Sequence, residues 1–284
     1  MHLYSPISYV GAKTRAVETL GAVLPNDIQT MASIFAGGLS FELYCEHVKK
    51  LNVTNAYDKN TELLNFWKII INPNNAAKMV EDVIKLFPKG IDKPTYWKQR
   101  TLLLNHIKGI DVIEDDYQLA LLFYISHNFS FARDGCRFHW SRLYEKEKTV
   151  KSLLKRLLEF KTNIKFECLG FDESIKRHND DTFLYLDPPY YIDKQNLTQP
   201  LYKHHEEFNH ELLASMLKER KGKWLLSYGD CEFVRDTYKD YKLVPVKWWY
   251  SMTLAVGTKK ESYEVLIMNY DTDTKGIENL FKTR

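Results

Sequence analysis

Apolar and polar positions along the chain fall into two regimes. In the first, short apolar runs alternate with helical patterns. Residues 31–35, MASIF, are an apolar run of strand length, followed by a glycine pair, Gly37-Gly38. Residues 39–51, LSFELYCEHVKKL, then read as a helix with Leu39, Leu43 and Val48 among its apolar positions. Residues 52–58, NVTNAYD, read as a second strand that ends on Asp58, and residues 61–71, TELLNFWKIII, as a helix with Thr61 as its cap. Strand, glycine turn, helix and strand make a βαβ unit, which predicts a parallel sheet.

The second regime covers residues 76–161. Helical patterns at 76–87 (AAKMVEDVIKLF), 116–129 (DYQLALLFYISHNF) and 146–161 (KEKTVKSLLKRLLEFK) follow one another with no clear strand, predicting a mostly helical insert. Strand patterns return at 163–170 (NIKFECLG) and 182–187 (TFLYLD). Helix and strand then alternate at 210–220, 223–229 and 231–241, and the last two strands, 242–250 and 262–270, read as an antiparallel ending. The whole is an open α/β sheet interrupted by a helical module.

Composition narrows the class. With 44% hydrophobic and 27% charged residues over 284 positions, the chain can build one large domain or a core domain with an insert. No apolar run reaches the ~20 residues needed to span a bilayer, and the first residues lack the apolar core of an export signal, so no membrane partner and a cytoplasmic location are expected. Cys45, Cys136, Cys168 and Cys231 are widely spaced, with no C-x-x-C pair, and His204, His205 and His210 do not share a helical face, so no metal site is expected. The net charge of +3 is uneven: residues 129–161 hold nine Lys/Arg and four Asp/Glu, +5 in all, which leaves −2 for the rest. Such a segment suits either a polyanion partner or a solvated helix face with i,i+4 pairs.

Three motifs carry chemistry. Asp187-Pro188-Pro189-Tyr190 follows an apolar strand, and residues just past the carboxyl ends of strands line the ligand crevice of an open α/β sheet. The prolines fix φ and remove backbone donors while leaving carbonyl acceptors. A carboxylate beside a rigid carbonyl can accept both hydrogens of an amine, and Tyr190 offers a face on which a planar base can stack. Consecutive prolines also occur in plain turns; the strand ahead of them and the two motifs below weigh against that. Phe35-Ala36-Gly37-Gly38 is a glycine turn between strand and helix, where a ligand can approach the backbone closely. Asp58, twenty residues past Gly38, stands where an acid grips ribose hydroxyls of a nucleoside cofactor. Without a G-x-G-x-x-G pattern a dinucleotide fits less well than a nucleoside lacking phosphates, such as S-adenosyl-L-methionine. Near the start, Ser8-Tyr9-Val10-Gly11-Ala12-Lys13 is a turn able to close over such a cofactor.

Together and in this order the motifs resemble the Dam-like (D12 class) family of DNA adenine-N6 methyltransferases, over nearly the whole chain. The resemblance implies a Rossmann-like S-adenosylmethionine-dependent methyltransferase sheet formed by residues 1–75 and 162–284, with residues 76–161 as a helical target-recognition insert. It implies that Tyr9, Gly11 and Lys13 form the N-terminal cofactor motif, that Phe35, Ala36, Gly37, Gly38 and Ser40 surround the methionine part, and that Asp58 binds the ribose. Phe171-Asp172 falls where the family shows Asp-Phe beside the cofactor's adenine, in reversed order, so either residue is a candidate for that contact. Asp187, Pro188, Pro189 and Tyr190 are the implied catalytic element, with Asp187 also counted among the implied cofactor-binding residues. Residues 129–142, FSFARDGCRFHWSR, match the place of a DNA-contacting loop, with Arg133, Arg137, His139 and Arg142 as candidate contacts. The implied partner is double-stranded DNA, and the implied setting a prokaryotic or virus-infected cell, beside a cognate restriction enzyme. Methylation of cytosine at N4, methylation of adenine in RNA, and a non-catalytic nucleic-acid-binding module are the other readings; aspartate at 187, where cytosine enzymes more often show serine, favours adenine.

Overall fold

The computed structural model describes residues 4–130, 146–191, 208–250 and 260–273. The strands are β1 (Thr30–Ser33), β2 (Asn52–Asp58), β3 (Lys165–Cys168), β4 (Phe183–Leu186), β5 (Trp224–Gly229), β6 (Lys242–Tyr250) and β7 (Lys260–Met268). They form a seven-stranded sheet in the order β3-β2-β1-β4-β5-β7-β6. β1 pairs parallel with β2 and β4, and β4 pairs parallel with β5. β7 runs antiparallel to both β5 and β6, which is the antiparallel ending expected from the sequence. The mixed α/β sheet is the one expected of an S-adenosylmethionine-dependent methyltransferase.

The helices are α1 (Val17–Ala22), α2 (Ser40–His47), α3 (Thr61–Ile70), α4 (Pro73–Leu86), α5 (Lys93–Ile107), α6 (Asp116–Asn128), α7 (Lys146–Glu159), α8 (Phe171–Lys176), α9 (His210–Glu219) and α10 (Glu232–Thr237). The chain divides into two compact units. One holds Met1–Thr14, Gly37–Leu43 and Asp58–Cys168; the other holds Arg15–Ala36, Tyr44–Tyr57 and Leu169–Arg284.

In the first unit α6 is the central post. Its run LALLFYIS is apolar on every face, so the helix is buried all round, and α3, α4 and α5 pack against it. Phe66 of α3 stacks on Tyr124 of α6 at 5.9 Å, and Trp67 stacks on Phe160 and Phe166 at 5.5 and 6.1 Å. In the second unit Leu184, Leu186, Trp224, Leu226, Val265 and Ile267 are buried, with Leu213 and Leu217 of α9 and Val234 of α10 packed into the same core.

Several local readings shift. Asn60, not Thr61, caps α3, its side chain accepting from the Leu63 N–H at 2.9 Å. α2 begins at Ser40 because Leu39 sits in the left-handed region at φ 53°, one residue past the glycine pair. α5 was not separated out by the sequence pattern: Gln, Arg, Asn and His break its apolar stripe, and only Asp92 as cap and Pro94 in its first turn mark its start. Six-residue α1 and α8 are too short for a periodic signal.

Candidate active site

The first unit carries the glycine turn and its acid. Gly37 adopts φ 45°, a conformation glycine enters without the steric penalty of a Cβ. Its N–H donates to Asp58 Oδ2 at 3.0 Å, its carbonyl accepts from the Trp67 indole N–H at 3.2 Å, and Asp58 Oδ1 accepts from the Asn60 N–H at 2.9 Å. Burial pushes the Asp58 carboxyl above its ordinary value, while the backbone N–H groups of Asn60, Gly37 and Lys59 pull the other way. Gly38 is packed tightly: a Cβ there would lie 3.2 Å from the Cβ atoms of Ala12 and of Tyr9.

The same unit brings the N-terminal motif onto this turn. Tyr9 stacks on His127 of α6 at 5.6 Å, and its hydroxyl accepts from the Asn60 side-chain amide at 3.3 Å. Asn128, fully buried at the end of α6, accepts from the Ser8 N–H at 2.8 Å and donates to the Pro6 carbonyl at 3.4 Å. Gly11 takes φ 75°, and the buried Lys13 Nζ donates to the Gly11 carbonyl at 3.4 Å. Ser40 shares a hydrogen bond of 3.0 Å with Thr14. Tyr9, Gly37, Gly38 and Asp58 thus converge, with Lys13 and Ser40 held by the motif's own residues.

The second unit carries the acidic notch. Ser33 of β1 is in register with Ala56 of β2 and with Tyr185 of β4, so β1 ends two residues before β2 and one before β4. Past them, the Ile34 N–H donates to the Tyr185 carbonyl and the Ala36 N–H to the Tyr57 carbonyl, extending the ladder toward the carboxyl edge. Asp187 is the first residue after β4. Its Oδ1 accepts from the Ser227 hydroxyl of β5 at 2.9 Å. Pro188 is buried, and Tyr190 is half-buried with its ring against Gly229, where a Cβ would lie 3.1 Å from Tyr190 Cδ2. Phe35 and Phe171 lie 6.2 Å apart, centroid to centroid, and Phe208 approaches both, at 5.7 and 5.1 Å. Phe171 is the buried member of the Phe171-Asp172 pair; Asp172 is half-buried in the first turn of α8.

Sequence reasoning missed Asn60, Trp67, His127 and Asn128 around the turn, and Ser227, Tyr228, Phe208 and His210 around the notch. His210 hydrogen-bonds the Tyr228 hydroxyl, whose pKa burial pushes up, and Tyr191 stacks on Phe233 at 4.1 Å. Arg133, Arg137, His139 and Arg142 lie outside the described residues, as do Cys136, His204 and His205. Among the described residues no helix is long and apolar enough to cross a membrane.

A family model described as D12 class N6 adenine-specific DNA methyltransferase matches residues 9–252, from the Tyr9 motif through the acidic notch and beyond. The chain belongs to this family. Among curated relatives, the Type II methyltransferase M.FokI of Planomicrobium okeanokoites is 23% identical, over 96% of this chain and 44% of that protein. The Type II methyltransferase M.CviBI of Paramecium bursaria Chlorella virus NC1A is 24% identical over 93% of this chain and 98% of its own length. The modification methylase StsI of Streptococcus sanguinis is 22% identical over 98% of this chain and 44% of its own length. The chain therefore spans less than half of M.FokI and of StsI and nearly all of M.CviBI. The rRNA methyltransferase AviRa of Streptomyces viridochromogenes overlays at a TM-score of 0.33 with 12% identity, over 90% of this chain and 83% of that one, too slight a likeness to add to the D12-class assignment.

Proposed function

We propose that this chain transfers the methyl group of S-adenosyl-L-methionine to the N6 amine of an adenine turned out of double-stranded DNA, and that it serves as the modification half of a restriction-modification system. The observation that carries the reading is Asp187, held by the Ser227 hydroxyl at 2.9 Å at the end of a parallel strand and followed by two residues that have no N–H to give.

The residues present suit the cofactor. Asp58, half-buried and braced by backbone donors, can accept from ribose hydroxyls. The glycine turn admits the methionine part, and Phe35, Phe171 and Phe208 offer an apolar wall for the adenine ring. Gly37 follows Ala36, and Asp58 follows Tyr57, directly in the chain. Within the second unit Ser33 of β1 pairs with Tyr185 of β4, so Phe35 and Asp187 both follow carboxyl ends of parallel strands, the edge at which such sheets bind ligands; within the first unit Gly37 and Asp58 are tied by their own hydrogen bond.

When bound, S-adenosyl-L-methionine supplies an electrophilic methyl on a positively charged sulfur. Adenine N6 is a poor nucleophile because its lone pair is delocalised into the ring. Asp187 accepts a hydrogen bond from the amine and the Pro188 carbonyl accepts a second, drawing the nitrogen toward tetrahedral geometry. As the nitrogen–carbon bond forms and positive charge develops on nitrogen, the fixed carboxylate stabilises that charge more than it stabilises the neutral amine. The surplus proton then passes to the carboxylate or to water. Tyr190 stacks on the extruded base, contributing about 1–3 kcal/mol toward the few kcal/mol that extrusion costs. No protein nucleophile takes part.

The decisive variant is Asp187→Ala. Methyl transfer to unmethylated duplex DNA, followed with a tritiated methyl group, should fall by about 10³-fold or more, while cofactor affinity stays near wild type. Retention of a substantial fraction of turnover would refute the assignment, and mapping of the modified base tests adenine against cytosine.

A further inference from the structure

The two prolines after Asp187 fix the backbone of the loop but leave the aspartate's own side-chain torsions open. We propose that Ser227 is the positioning residue of the amine site, holding the Asp187 carboxylate in the orientation from which it receives the amine. The inference rests on the assignment of Asp187 and deepens it.

Ser227 lies on β5, the parallel neighbour of β4. Leu186 pairs with Leu226, so Ser227 and Asp187 are the next residues along two adjacent strands. Its Oγ is 2.9 Å from Asp187 Oδ1, and the two are 40 residues apart in sequence. Ser227 is 0% exposed, in a strand where Trp224, Leu225, Leu226 and Tyr228 around it are buried and aromatic or aliphatic. A hydroxyl buried so deeply is costly unless it is bonded, whereas alanine would fit the surrounding core. What the hydroxyl touches gives it a use. On one side it donates to the carboxylate; on the other the Tyr185 hydroxyl stands 3.4 Å away. A serine has one proton, so with that proton given to Asp187 its lone pairs face Tyr185, and the chain Tyr185 to Ser227 to Asp187 points every donor toward the carboxylate. Ser227 takes one of about four acceptor positions on that carboxylate.

Ser227→Ala removes the donor. Single-turnover methyl transfer should slow by about 10- to 100-fold, the scale of a misplaced catalytic group, with cofactor and DNA dissociation constants within about twofold of wild type. A general loss of packing would weaken binding as well. The acidic limb of the rate–pH profile should move to higher pH, since a carboxylate that loses a hydrogen bond to its ionised form holds its proton more tightly. Ser227→Cys keeps a weaker donor in nearly the same volume and should fall between. If Ser227→Ala does not melt cooperatively, Ser227→Cys and Tyr185→Phe carry the test, each with a smaller slowing and a shift of the limb in the same direction. Asp187→Asn run alongside separates the two claims. Transfer retained in Asp187→Asn overturns the assignment of Asp187 itself. Transfer lost there, with wild-type rate and an unmoved acidic limb in the folded Ser227 variants, overturns the role of Ser227 alone.

Discussion

Replacing Asp58 by asparagine keeps the side chain's size and removes its charge. In the free protein Oδ2 accepts from the Gly37 N–H at 3.0 Å and Oδ1 from the Asn60 N–H at 2.9 Å. With the Lys59 N–H that also acts on the group, these leave at least one of the roughly four acceptor positions of a carboxylate to receive a ribose hydroxyl. A hydrogen bond to a charged group contributes about 1.5–3 kcal/mol, so losing a single such bond weakens cofactor binding by about 10- to 150-fold. The amide also turns an NH2 toward one of the two backbone donors, which disturbs the glycine turn and adds to the loss. Calorimetric titration of S-adenosyl-L-methionine into the DNA-free protein measures the effect directly. A dissociation constant within about threefold of wild type would show that Asp58 braces the turn without touching the cofactor, and the ribose role would fall.

The pH dependence gives a second handle on the same residue. Burial raises the Asp58 pKa, and the ionised form is the one that receives hydroxyls. Cofactor affinity should therefore decline as pH falls through that raised pKa, in a window that begins above the ~3.9 of an exposed aspartate. For stability the sign is opposite. A raised acid pKa means that the folded protein holds the proton more tightly than the unfolded chain. The group's contribution to stability is thus fully present below about 3.9 and is lost as pH rises through the folded pKa. The ionised carboxylate is then a local liability in the free protein that bound hydroxyls relieve. The thermal shift caused by saturating cofactor should grow as pH rises through that raised pKa in the wild type and stay flat in Asp58→Asn.

The glycines at the two motifs separate strain from crowding. Gly37→Ala must hold φ 45° but meets only the Tyr9 ring, at 3.9 Å, so it should cost about 1–2 kcal/mol of stability, read as a lower melting temperature. Gly38→Ala instead presses on Tyr9 and Ala12 at 3.2 Å and should weaken cofactor binding about tenfold, with a smaller change in melting temperature. Gly229→Ala places a Cβ 3.1 Å from the Tyr190 ring; kcat/KM on duplex DNA should drop about tenfold while cofactor affinity measured without DNA is unchanged.

The elements that a periodic pattern can announce were legible in the sequence. The MASIF strand, the helix past the glycine pair, the strand ending on Asp58, the TFLYLD strand and the antiparallel close all appear where the apolar runs place them, with boundaries shifted by a residue or two except in the helix, which stops at His47, four residues short of Leu51. The motif residues were legible because each is adjacent in sequence to a strand end. What could not be read is whatever reaches these motifs from far along the chain. Asn128 grips Ser8 across 120 residues, and Ser227 grips Asp187 across 40. Neither residue type nor spacing marks a buried serine in an apolar strand as anything but core, and only strand order brings β5 beside β4. His127 and Asn128 close an apolar helix whose pattern speaks of packing alone, although their side chains hold the N-terminal motif.

Two aspartates each end or follow a parallel strand in this sheet, and the residues that come next assign them different work. After Asp58 come Lys59 and Asn60, and backbone N–H groups from this segment turn back onto the carboxylate, as does that of Gly37. An acid braced in this way is a fixed receptor for neutral hydroxyls, and charge developing nearby would meet a group whose field is already spent on donors. After Asp187 come Pro188 and Pro189, which carry no N–H, so the same folding-back cannot happen there. The brace must come from another strand, and it comes from the hydroxyl of Ser227. A neutral hydroxyl damps the carboxylate's field less than a set of backbone dipoles does, which leaves the acid suited to a nitrogen that becomes positive as the reaction proceeds. In this account Asp-Lys-Asn makes a binding acid and Asp-Pro-Pro a reactive one, and the difference lies in two missing backbone hydrogens.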